Sequence, residues 1–262
     1  QIVTLLSQLV ESEGEKMKDL IISNFKMFKT NFETLEYISA LNKLLPKQLP
    51  CKIGVCLPYT SLYLGENFDE RIVLGAQNMH EDEFGNYTGE ISVNMLKDFN
   101  VKFVLLGHSE RRKLYGETNS RINKKIKTAL RHGMKVVLCV GETRAQRNAK
   151  MTQSVLTKQI EEALVGIYEN ELSSIIVAYE LVWAVGTGIV APITDIANAS
   201  KLIRKIIAAH YSAPAAENQQ IIYGGSLTSQ TSKQIFKNKE ICGALIGAAS
   251  LDPKEFIRII TG

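Results

Sequence analysis

Short, continuously apolar runs alternate along the chain with longer segments whose apolar residues recur at helical spacing. The apolar runs are LIIS at 20–23, IGVCL at 53–57, IVLGA at 72–76, KFVLLG at 102–107, KVVLCVG at 135–141, SIIVAY at 174–179, QIIYGG at 220–225 and GALIG at 243–247. A strand with one face in water alternates apolar and polar residues; a run apolar at nearly every position belongs to a parallel strand covered on both faces. The helical spacing predicts helices over 30–45, 117–132, 144–168, 193–210 and 252–260. Thr194 or Asp195 reads as the cap of the fourth helix, and Pro253 as the first residue of the last. Eight such strand–helix repeats within 262 residues predict an α/β protein of the (β/α)8 barrel type. The competing fold, a doubly wound open sheet, lacks its signature, because no Gly-x-Gly-x-x-Gly follows the first run.

The alternation covers residues 17–262, read as a single barrel domain. Residues 1–16 lie outside it as an N-terminal extension of unassigned role. Ile2, Leu5, Leu6, Leu9 and Val10 share one helical face there, so the segment reads either as a short packed helix or as sequence preceding a start at Met17. The net charge of +4 is spread over scattered lysines and arginines with no basic block, which argues against a nucleic-acid partner and suits a small anionic substrate. No apolar run approaches the length of a membrane span, and the first residues lack the basic start of a secretory signal. The four cysteines form no Cys-x-x-Cys pair and read as reduced, buried thiols of a cytoplasmic protein. The four histidines show no metal-ligand spacing, so neither a metal nor another cofactor is expected.

In a (β/α)8 barrel the chemistry sits at the C-terminal ends of the strands. After the first run, Asn24 and Lys26 are two residues apart and, on an extended segment, point the same way. After the fourth, His108 opens a polar stretch that reads as a helix start, where the helix dipole favours a neutral imidazole able to donate a hydrogen bond to a carbonyl. After the sixth comes Glu180, followed by the only tryptophan and a Gly-Thr-Gly. A carboxylate at a strand end reads either as a barrel-rim salt bridge or, where water is excluded, as a general base, and the glycines suit a lid. After the seventh and eighth come YGGS at 223–226 and GAAS at 247–250, small residues whose backbone N–H groups suit an anion. A base, an electrophile and a phosphate grip describe proton abstraction beside the carbonyl of a small phosphorylated substrate.

Taken in order, NFKM, GAQN, YTGE, GHSERR, CVGE, AYELVWAVGTG, YGGS and GAASL resemble the triosephosphate isomerase family over about residues 18–262. The resemblance implies the TIM-barrel fold and the interconversion of dihydroxyacetone phosphate and D-glyceraldehyde 3-phosphate. It implies Glu180 as the catalytic base, neutral His108 as the electrophile, Lys26 as the stabiliser of developing negative charge and Asn24 as a substrate-positioning amide. It further implies that Gly186, Ser226, Gly247 and Ala248 hold the phosphate, and that Glu110 orients the site or pairs with Arg111 or Arg112. The polar loop at 77–90 reads by itself as a solvated loop; the resemblance implies that it inserts into a second subunit, giving a homodimer with Thr88 near the partner's site.

Three residues depart from the family's usual pattern. Leu181 stands where proline is usual, which makes closing the segment beyond it costlier by about 0.4–1 kcal/mol if that hinge is unstrained. Ala248 stands where a second glycine is usual, so its methyl crowds the phosphate or costs about 1 kcal/mol if its φ is positive. Phe25 replaces a usual tryptophan. Two other readings stand beside the first: another phosphate-binding barrel isomerase or lyase, and a non-catalytic relative. Both catalytic positions match the first family, and intact Lys26, His108 and Glu180 speak against the last.

Overall fold

The structure, a computed structural model, describes residues 20–182 and 192–261. The extension at 1–16 and Gly186 lie outside the described residues. The strands are Leu20–Asn24 (β1), Lys52–Leu57 (β2), Ile72–Ala76 (β3), Phe103–Leu106 (β4), Lys135–Val140 (β5), Ile175–Glu180 (β6), Ile221–Gly224 (β7) and Gly243–Ile246 (β8). Each matches an apolar run to within a residue or so. All pair in parallel in sequence order, and β8 returns to β1, so the sheet closes into a barrel. This is the (β/α)8 fold that the alternation predicts.

Alternation along each strand sorts the core into two layers. Ile22, Leu105, Val137, Cys139, Ile176, Ala178 and Ile222 belong to a cluster drawn from strands rather than helices, which fills the barrel. Ile21, Val55, Val104, Val177 and Tyr179 point the other way and pack with helix residues such as Ile38, Leu41, Ile122 and Ile203. Following the inward set to the strand ends leads from Ile22 to Asn24 and from Ala178 to Glu180. The period of two thus carries both polar side chains to the same mouth.

The outer helices are Asn31–Leu44 (α1), Val93–Asp98 (α2), Ser109–Leu114 (α3), Asn119–Arg131 (α4), Arg144–Asn148 (α5), Thr152–Ala163 (α6), Ile193–His210 (α7), Ala213–Asn218 (α8), Ser229–Phe236 (α9) and Pro253–Thr261 (α10). Pro253 does open the last. The expected helix over 144–168 is instead two. Lys150 takes a left-handed φ of 58°, the Lys150 amide bonds to Arg147 O and the Met151 amide to Gln146 O. This closure usually has glycine at its left-handed position. A lysine there hides the break from a reading of the sequence. The cap expected of Thr194 or Asp195 falls instead to Pro192, whose carbonyl accepts from the Asp195 amide. The Asp195 carboxylate bonds to Arg147. α2, α8 and α9 are too short for their helical period to stand out.

Candidate active site

β6 ends at Glu180, which is only 2% exposed. The neighbouring backbone approaches closely, for a Cβ on Gly141 would lie 1.9 Å from the Glu180 carbonyl oxygen, so only glycine fits there. One carboxylate oxygen accepts the Ser109 N–H at 2.7 Å, and the other lies 2.9 Å from His108 Nε2. Burial pushes the carboxyl's pKa up. The charge and hydrogen bond of His108, the Ser109 amide and the nearby Lys26 outweigh it and leave Glu180 below the usual carboxylate range.

His108 caps α3, and its Nδ1 accepts the Glu110 N–H at 3.3 Å. With Nδ1 occupied as an acceptor, Nε2 is the nitrogen that carries the proton towards Glu180. The sequence predicts an imidazole biased to its neutral form. Here its pKa is raised: burial opposes the charge, but the Glu180 carboxylate, with Glu110, more than compensates. The helix amide on Nδ1 acts in the expected direction and is outweighed by the carboxylate of Glu180, far away in sequence.

Asn24 and Lys26 do meet at the mouth, but not through an extended segment. Lys26 has a left-handed φ of 53°, and Asn24 Oδ1 accepts the Lys26 N–H at 2.9 Å. Gln77 Nε2 steadies the bend by donating to Lys26 O at 2.9 Å. The lysine then reaches Glu110, with Nζ 2.6 Å from Oε1. Glu110 therefore pairs with Lys26, while Arg111 turns to Glu117 and Arg112 to backbone carbonyls at Gly107 and Cys139. Lys26, Glu110, His108 and Glu180 form one connected series of ionisable groups. Gly247 borders it, since a Cβ there would lie 3.1 Å from Lys26 Cε.

Ser226 is half-buried after β7 and Ala248 exposed after β8, so the two small-residue turns open at the same end as Glu180. Ala248 is absent from the left-handed residues, so the backbone strain that the sequence allows for does not arise. Phe25 is fully buried and packs edge-on to Tyr37.

Leu181 departs from expectation. The entropic cost of closing applies to a hinge without bonds of its own, and Leu181 is not one. Its N–H donates to Gly224 O at 3.2 Å, and its side chain is 0% exposed within the outer core. Gln77 and the Ser109 amide are not singled out by the sequence; the position of Gln77 directly after the third apolar run is the signal that marks the first. A second group is also hidden there. Tyr179 OH donates to the buried Glu142 carboxylate, which also accepts from Arg147. Glu142 stands just past β5 in CVGE, a strand-end position comparable to that of Glu180.

A buried carboxylate beside an imidazole N–H, with a lysine close by, can take a proton from carbon and support the charge that results. Fold and mouth together define an acid–base enzyme of the (β/α)8 class. The profile of the triosephosphate isomerase family matches residues 19–262. The triosephosphate isomerase of Dictyoglomus thermophilum is 43% identical over 245 residues, spanning 93% of this chain and 98% of that one. That of Aquifex aeolicus is 42% identical over 247 residues, with 93% and 99% spanned. This chain belongs to the triosephosphate isomerase family. Among the described residues, no helix is long and apolar enough to cross a membrane.

Proposed function

We propose that the mouth built from Glu180, His108 and Lys26 performs the isomerisation of the family, interconverting dihydroxyacetone phosphate and D-glyceraldehyde 3-phosphate through an enediolate. The observation that carries this reading is the buried 2.9 Å contact between His108 Nε2 and Glu180 Oε1. Glu180 takes the proton from the carbon beside the carbonyl and returns it to the neighbouring carbon. His108 donates its Nε2 hydrogen bond to the oxygen that gains charge, and Lys26 stabilises that charge from the other side, with Asn24 positioning the substrate. To act as base, the carboxylate gives up its bonds to His108 and Ser109. The main interaction that raises the imidazole's pKa then leaves with it; Glu110 remains opposed, while burial, Lys26 and the helix amide on Nδ1 favour the neutral ring that this family uses. Ser226, Gly247 and Ala248, with Gly186, hold the phosphate through backbone N–H groups and the Ser226 hydroxyl. A coupled assay with glyceraldehyde 3-phosphate tests the proposal; a folded protein without turnover would overturn it.

Residues 17–262 act in this reading as one barrel domain of a cytoplasmic enzyme, and the enzyme is a homodimer joined through the loop at 77–90. The loop's base is tied down, since Arg121 pairs with Glu81 and Thr128 Oγ1 donates to Glu81 O. Its tip is bare, with Phe84 85% exposed, and on another segment Met27 is 93% exposed. Large exposed apolar side chains on an anchored loop suit insertion into a partner copy. Light scattering on dilute protein is expected to give about twice the chain mass, and a fully active monomer would remove the partner loop's role.

With strain excluded at Ala248, crowding by its methyl is the remaining route by which it affects the phosphate. Ala248→Gly is then expected to bind a phosphoglycolate-type analogue roughly threefold more tightly, a change below about 1 kcal/mol. Equal calorimetric affinities would show the methyl to be accommodated.

A further inference from the structure

We propose that Leu181 is a positioning residue for the base: its backbone N–H, bonded to Gly224 O, and its buried side chain hold Glu180 against the barrel wall. This rests on the reading of Glu180 as the base. Glu180 pairs with Gly224 as the last residue of the β6–β7 register. The Leu181 amide carries that ladder one bond further, at 3.2 Å, although the strand itself has ended.

The side chains complete the clamp. Glu180 faces into the barrel, so its two neighbours face outwards. Tyr179 and Leu181 are both fully buried in the outer core, and the Tyr179 hydroxyl is anchored on Glu142. The base thus projects from a backbone pinned on both sides, which leaves its own side-chain torsions as its main freedom. A catalytic group gains from such support because small displacements from the productive geometry cost rate steeply. Proline, usual at this position in the family, has no N–H to give. The clamp is therefore written into this chain's own residue at 181.

The test compares Leu181→Pro, which removes the donor, with Leu181→Met, which keeps the donor and nearly the same volume. Leu181→Pro is expected to lower kcat roughly tenfold while KM stays within about twofold, and Leu181→Met to recover turnover. The pH profile supplies a readout that a simple loss of stability would not move. The groups facing Glu180 are His108 and Lys26, with Arg112 and Cys139 nearby and Glu110 behind the imidazole. A displaced carboxylate loses the contacts that hold its pKa down, so the acid limb of kcat/KM moves to higher pH in Leu181→Pro. Ionisation of the substrate's phosphate is common to both proteins and cancels in the comparison.

Wild-type kcat and an unmoved acid limb in folded Leu181→Pro would overturn the inference. If that variant does not fold, hydrogen exchange in the unaltered protein decides: a Leu181 amide protected like those of β6 supports the clamp, and exchange at the rate of an exposed amide refutes it. Glu180→Gln separates the two levels. Full turnover in Glu180→Gln would end the reading of Glu180 as base and the clamp with it. An inactive Glu180→Gln beside a fully active Leu181→Pro would end the clamp alone.

Discussion

Glu180→Asp is expected to lower turnover about 100-fold while KM changes by less than about threefold. The substitution keeps the charge and the acidity but withdraws the carboxylate by about one bond length. Its present partners show how little room there is: Ser109 N–H at 2.7 Å and His108 Nε2 at 2.9 Å both lie at ordinary hydrogen-bond distance. A shorter side chain from the same backbone cannot meet these donors or a substrate carbon at the same distances. The backbone has little freedom to follow, because the Gly141 backbone lies against the Glu180 carbonyl and the Leu181 amide is bonded across to β7. In the proposed reading, ground-state binding rests mainly on the phosphate, which the substitution does not touch, so the loss is expected in kcat. Steady-state kinetics on purified protein checks this, and an unchanged turnover number would mean that Glu180 is not the base.

Lys125→Met is expected to destabilise the fold by about 3–5 kcal/mol, which in a protein of this size lowers the melting temperature by roughly 6–15 °C. Lys125 is 0% exposed, and its ammonium contacts the buried Glu117 carboxylate and donates to Asn78 Oδ1 at 2.8 Å. Burial pushes the ammonium's pKa down against the attraction of Glu117, and the pairing justifies the charge. The second Glu117 oxygen already has no hydrogen-bond partner among the described residues. Removing the lysine leaves a buried carboxylate whose remaining ion-pair contact among the described residues is with Arg111, at 3.4 Å. The double variant Lys125→Met/Glu117→Leu removes both charges and should recover most of the loss, since a buried pair replaced as a unit by apolar groups is often close to neutral. Thermal unfolding of the two variants checks this. A small loss in Lys125→Met would show the pair to be dispensable. The same helix anchors the loop at 77–90 through Arg121 and Thr128, so the single variant should also weaken the proposed dimer.

Part of this protein is legible in its amino-acid sequence. A strand buried on both faces leaves an unbroken apolar run, so all eight strands can be read, and closure follows from their number and spacing. Candidate functional residues can be read where a polar side chain stands at the end of such a run, as His108 and Glu180 do. The family resemblance then implies the roles proposed for them.

What local spacing does not reveal is who meets whom. The break at Lys150 is hidden because its left-handed closure uses lysine in place of glycine. The bend at Lys26 is hidden because it depends on the Asn24 side chain and on Gln77, 51 residues away. Glu110 has arginines beside it in sequence, yet bonds to a lysine 84 residues away. The proton affinity of His108 follows Glu180 more than its own helix. At Leu181 the sequence marks only an unusual residue, and the barrel supplies its partner, Gly224 O. The chain alone determined the repeating pattern of burial, because burial is a property of each short run. The pairings at the mouth were decided by the closed barrel, because closure alone brings the ends of distant strands within hydrogen-bond reach.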